Sequence, residues 1–181
     1  IGYDGLEIAC WGDHMDVKKA ADDKQYVKNK KELLKKYNLE CFALGAHLAG
    51  QCIGALYDPR LDNFVPDKVK GDPKAIKEWA IQEMKYTVLA AKNMGVKVVN
   101  GFTGSPIWKY FYSFPQTTED MIEEAFNEIV ELWTPIFDVF DENGVKFALE
   151  VHPTEIAYDY YTTARLFEVF DNRETLGINF D

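Results

Sequence analysis

Cysteine is scarce in this 181-residue chain, which has only Cys10, Cys41 and Cys52, with no C-x-x-C spacing among them. An odd, widely spaced set excludes a disulfide framework and a thiolate zinc site, and it fits free thiols in a reducing compartment. Cationic residues are also in deficit, 20 Lys and Arg against 30 Asp and Glu, giving a formal net charge of −10. That balance argues against nucleic acid and anionic membranes as partners, because both are recognised by clustered Lys and Arg. The one basic run, Lys28 to Lys36, is interrupted by Leu33 and Leu34 and reads as the solvated face of a helix. No apolar run approaches the ~20 residues of a membrane span, and no secretory signal is legible. The patterns G-x-G-x-x-G, G-x-x-x-x-G-K and G-x-S-x-G do not occur, so nucleotide cofactors and a serine nucleophile have no support. A soluble, cytoplasmic protein is the expectation.

With 47% hydrophobic and 14% aromatic residues the chain can bury a sizeable core as one domain spanning 1–181. Strand and helix signals alternate along it, which is the pattern of a parallel sheet with crossover helices. Strands are expected at Leu6 to Trp11, Glu40 to His47, Val96 to Thr103, Lys146 to His152 and Leu176 to Asp181. Helices are expected near Asp23 to Tyr37, Pro73 to Asn93, Thr118 to Glu142 and Thr162 to Asp171. Ile76, Ala80, Met84, Val88 and Ala91 form an apolar stripe of helical period, with Asp72-Pro73 as its start signal and Gly95 as its stop. Met121, Ala125, Ile129, Leu132, Ile136 and Phe140 repeat the arrangement. Pro135 sits inside that second stripe and should kink or divide the helix near Leu132. Leu48 to Gly71, with Gly50, Gly54, Pro59 and Pro66, reads as a long loop, and Gly104 to Gln116 as another. Cys10 and Cys41 fall inside predicted strands as small core residues.

Each predicted strand delivers polar residues at or past its C-terminal end: Asp13 and His14, then His47, Asn100 and Ser105, then Glu150, His152 and Glu155, then Asn179 and Asp181. Ligands of parallel α/β sheets collect at that end, so Glu150 and Asp181 should face a common site. Two hard oxygen donors there suggest a divalent metal, while a lone strand-end carboxylate could equally cap a backbone or pair with a lysine. All three histidines, His14, His47 and His152, lie on this rim. The aromatics Trp11, Trp108, Phe111 and Tyr112 lie there too, suited either to stacking on sugar rings or to forming a packed lid.

Five stretches together resemble the sugar phosphate isomerase/epimerase family, whose fold is the xylose-isomerase-like (β/α)8 TIM barrel. They are Leu6 to His14, His47 to Gln51, Gly101 to Trp108, Phe147 to Tyr158 and Gly177 to Asp181, with Glu150-Val151-His152-Pro153-Thr154-Glu155 the most specific. The resemblance implies a divalent ion, Mn2+ first, with Mg2+, Co2+ or Zn2+ as alternatives. Glu150 and Asp181 match its first two ligands, and a later His and Glu complete the shell from strands this sequence does not contain. About five of the eight β/α units are expected, with the first unit and the last two outside the sequence. The implied chemistry is isomerisation or epimerisation of a sugar, sugar phosphate or polyol, by proton transfer next to a carbonyl through an enediolate, with Glu150 as ligand and catalytic group. His47, Trp108, His152, Glu155 and His14 are the candidate substrate contacts. A keto-inositol dehydratase, a non-catalytic barrel fragment and a homo-oligomer are the alternatives in view, and endonuclease chemistry is disfavoured by the charge.

Overall fold

The structure, a computed structural model, describes residues 2–180. Five strands form one parallel sheet whose spatial order is the chain order: β1 (Gly5–Ala9), β2 (Glu40–Gly45), β3 (Val98–Gly101), β4 (Lys146–Glu150) and β5 (Leu176–Asn179). Between them run α1 (Val17–Asp22), α2 (Lys24–Lys36), α3 (His47–Gly54), α4 (Pro73–Met94), α5 (Glu119–Asn143) and α6 (Tyr160–Val169). Parallel neighbours require crossovers, and right-handed crossovers stepping always in one direction put the helices on one face of the sheet. The result is an incomplete (β/α)8 wall of five strands, where closure takes eight.

The register sorts the two faces residue by residue. Ile8, Leu44, Val99, Phe147 and Leu176 align across the sheet and are all buried toward the helices. The next row, Ala9, Gly45, Asn100, Ala148 and Gly177, faces the inner side, because successive strand residues point to opposite faces. It consists of small residues except for Asn100. One further inner step brings Glu150 beside Asn179.

Helix boundaries follow local chemistry. The Asp72 carboxylate accepts from the Lys74 and Ala75 amides at 3.0 and 3.1 Å, Pro73 opens α4, and Gly95 closes it in the left-handed region at φ 74°. Asp159 and Thr162 form a capping box on α6. The predicted stripe of α4 is buried throughout, and α5 lays Trp133, Phe137 and Phe140 on Phe147, with ring centroids 4.9 to 5.8 Å away.

Three expectations are corrected. Of the two outcomes expected at Pro135, division is overturned: α5 runs unbroken from Glu119 to Asn143. A helix-interior proline costs about 3 kcal/mol, and each large side chain buried around it, Trp133, Ile136 and Phe137, returns about 1.5–3 kcal/mol. Leu48 to Gly71 is not one long loop: it contains most of α3 and two 3-10 turns, Pro59–Asn63 and Asp67–Val69. The glycines that suggested a loop instead let α3 press on backbone. A Cβ at Gly54 would sit 2.5 Å from the Thr103 carbonyl oxygen, and one at Gly50 would collide with that of Phe102. Finally, α1 was not anticipated, and β2 ends at Gly45, so His47 begins a helix rather than finishing a strand.

Candidate active site

Glu150 ends β4 on the inner face, and its Oε2 accepts two hydrogen bonds. His47 Nε2, at the first turn of α3, lies 3.0 Å away, and Asn179 Nδ2, across the β4–β5 register, lies 3.2 Å away. Both side chains of the Glu150–His47 pair are mostly buried. Glu150 Oε1 accepts no bond among the described residues. Asp181, expected as the second metal ligand, lies outside the described residues. Among the described residues no three His, Cys, Asp or Glu side chains converge to hold a metal ion. The donors present therefore fit one position of a cation shell, a free carboxylate oxygen, and no more than that.

A cavity of about 430 Å³ opens beside this pair, between α3 and the loops that follow β2, β3 and β4. Its wall includes His47, Gln51, Phe102, Trp108, Lys109 and His152; it reaches His47 but not Glu150. Phe102 is the hub of the aromatic wall, 4.8 Å from the His47 ring and 5.1 Å from that of His152. Trp108 packs in a three-ring cluster with Phe111 and Tyr158, at 5.3 to 5.6 Å, so it serves as both lid and wall. Ser105 Oγ sets the turn that presents Trp108, accepting from the Ile107 and Trp108 amides. Lys109 Nζ donates to the Tyr57 carbonyl at 3.1 Å and ties the loop after β3 to the one after β2. On the rim, Arg60 holds the Asp58 carboxyl down at about 2.

Two expected substrate contacts are placed elsewhere. Glu155 is fully buried, its Oε2 accepting from the backbone amides of Thr103 and Gly104 and its Oε1 from Thr154 Oγ1. It braces the end of β3 instead of facing the cavity. Burial pushes its carboxyl up to about 7, and the amides of Gly104 and Thr103 with the Thr154 and Gln51 side chains pull it partly back. His14 is exposed in the turn after β1, where its carbonyl accepts from Lys30, and it does not line the cavity. Tyr112 points into solvent, 97% exposed. Trp11 approaches His47 edge-on at 6.2 Å.

The sequence reading passed over Glu7. Its Oε2 accepts from Asn100 Nδ2, and its Oε1 hangs over Gly45 on the inner face. The alternation Leu6-Glu7-Ile8 carried the signal, since a charge between apolar strand neighbours must point away from their core.

A family profile described as xylose isomerase-like TIM barrel matches residues 1–181. The chain belongs to that family. No curated protein matches the sequence. Among solved structures, the apo form of 3-keto-D-glucoside 4-epimerase, YcjR, from E. coli is 14% identical, with a TM-score of 0.65 over 98% of this chain and 57% of its own. The probable 3-DHS dehydratase AsbF from Bacillus anthracis is 19% identical, with a TM-score of 0.61 over 98% of this chain and 52% of its own. The IOLI protein with a bound zinc atom is 20% identical, at 0.56 over 98% and 52%. These likenesses show the shared fold, and the chain spans little more than half the length of those proteins.

Proposed function

We propose that the protein is a sugar or polyol isomerase or epimerase that exchanges a proton at a carbon next to a carbonyl, with a divalent ion as cofactor. The observation that carries the reading is the Glu150–His47 pair at the C-terminal rim of the sheet, beside a cavity of about 430 Å³. Glu150 is the proton-exchanging group and one ligand of the ion. His47 and Asn179 occupy one of its oxygens and so fix the carboxylate plane, leaving the other free. When bound, the ion supplies Lewis-acid polarisation of substrate oxygens, which stabilises an enediolate. Trp108 and Phe102 give the sugar ring an apolar wall, and His152 on the same wall is a hydroxyl contact. A small, hydroxyl-rich substrate suits that mixture. The names of the similar structures, an epimerase among them, support the class.

The test is turnover of keto sugars by the full-length protein, with and without a chelator and after re-addition of Mn2+, Mg2+, Co2+ or Zn2+. Glu150→Gln keeps shape but loses charge and basicity, and it should lower kcat by about 10²–10⁴-fold with the fold intact. Near-normal turnover by that variant removes Glu150 from the mechanism. Loss of hydroxide from a keto-inositol, with no epimerised product, would move the reading to a dehydratase.

A further inference from the structure

Beneath the Glu150–His47 pair, the inner row of the sheet is built of Ala9, Gly45, Ala148 and Gly177 with a single polar residue, Asn100. The Glu7 side chain fills the space these small residues leave, crossing over Gly45 from β1 to reach Asn100 on β3. Asn100 is 95% buried by its 5% exposure, and its Oδ1 has no partner among the described residues, so its amide is committed to this one contact. A Cβ added to Gly45 would collide with Glu7 Oε1 and lie 3.4 Å from His47 Nδ1. The free oxygen of Glu7 and the free ring nitrogen of His47 therefore approach the space above the same glycine from two sides, too far apart for a direct ion pair.

We infer that Glu7 is a positioning residue for His47: clamped by Asn100, its carboxylate faces Nδ1 through one water, while Nε2 is held by Glu150. An imidazole held from both sides has its ring plane fixed, and the second partner of a site imidazole sets which way it points. Glycine at position 45 is required because any side chain there would take the place of the Glu7 carboxylate. The consequence for catalysis rests on the reading of Glu150 given above, but the pairing does not.

The experiment is 15N–1H long-range correlation of the histidine rings in the full-length protein, comparing the unmodified chain with Glu7→Gln and Asn100→Ala. Glu7→Gln is nearly isosteric and removes only the charge. The His47 ring resonances should shift in both variants, while those of His14 and His152 stay in place. Unchanged His47 resonances in either folded variant overturn the pairing. If the unmodified protein turns over a keto sugar, Glu7→Gln should cost about 10–100-fold in kcat, the size of effect expected from loss of an outer carboxylate partner. Lack of any turnover in the unmodified protein tells against the proposed function and leaves the spectroscopic result to decide the pairing.

Discussion

At Glu155 a carboxyl with no exposed surface holds the amides of Thr103 and Gly104, and burial sets its titration near neutrality. Its folded value, about 7, lies above the ordinary 4.5, so the folded state binds the proton more tightly. Stability from this group is full below about 4.5 and is lost as the pH rises through about 7, by roughly 3 kcal/mol at most. Chemical denaturation between pH 5 and 8 should show that decline, and Glu155→Gln should flatten it. A variant with the same slope would remove Glu155 as its source. The case also shows where sequence reading of the site stops. The rim placement of Glu150, His47, Trp108 and His152 was legible because segments at and just past the C-terminal ends of parallel strands gather there. Glu155 and His14 share that position in sequence, yet one turns inward onto backbone and the other outward to solvent. For Glu155 the His152-Pro153-Thr154-Glu155 turn decides it, with Thr154 at φ 91°, a conformation that spacing does not announce.

At the scale of elements, the long helices were legible because period and capping agree with burial, and all five strands because short apolar runs alternate with those helices. What escaped were the short pieces, α1 and α3, too brief for a periodic stripe and stabilised by contacts distant in sequence. α3 is the informative case: two glycines, which locally favour a loop, become the means by which the helix that carries His47 lies against the end of β3. Gly54→Ala should therefore cost about 1–3 kcal/mol through overpacking, although alanine is the better helix former by about 1 kcal/mol. Thermal unfolding would check the sign. A stabilised variant would mean that α3 and the β3 loop can separate without loss. Trp133 belongs to the same junction, since its Nε1 donates to the Thr103 carbonyl at 3.1 Å from inside the core. Trp133→Phe keeps most of the packing and leaves that carbonyl unpaired, at about 1–3 kcal/mol.

For the whole molecule, β1 and β5 are both edges of the described sheet. Ile178 is exposed on β5, Phe180 just past its end, and Phe42 on β2. The 181-residue polypeptide expressed by itself should associate, because unpaired apolar strands invite pairing with another chain. Sedimentation at micromolar concentration checks this, and a cooperative, monomeric species would contradict it. The identity of spatial order and chain order also bears on time. Among the described strands each docks beside the one synthesised just before it, and each of these pairings spans a single β/α unit. A sheet of this kind can grow as the ribosome delivers it, and its N-terminal units should gain amide protection before β5 has been made.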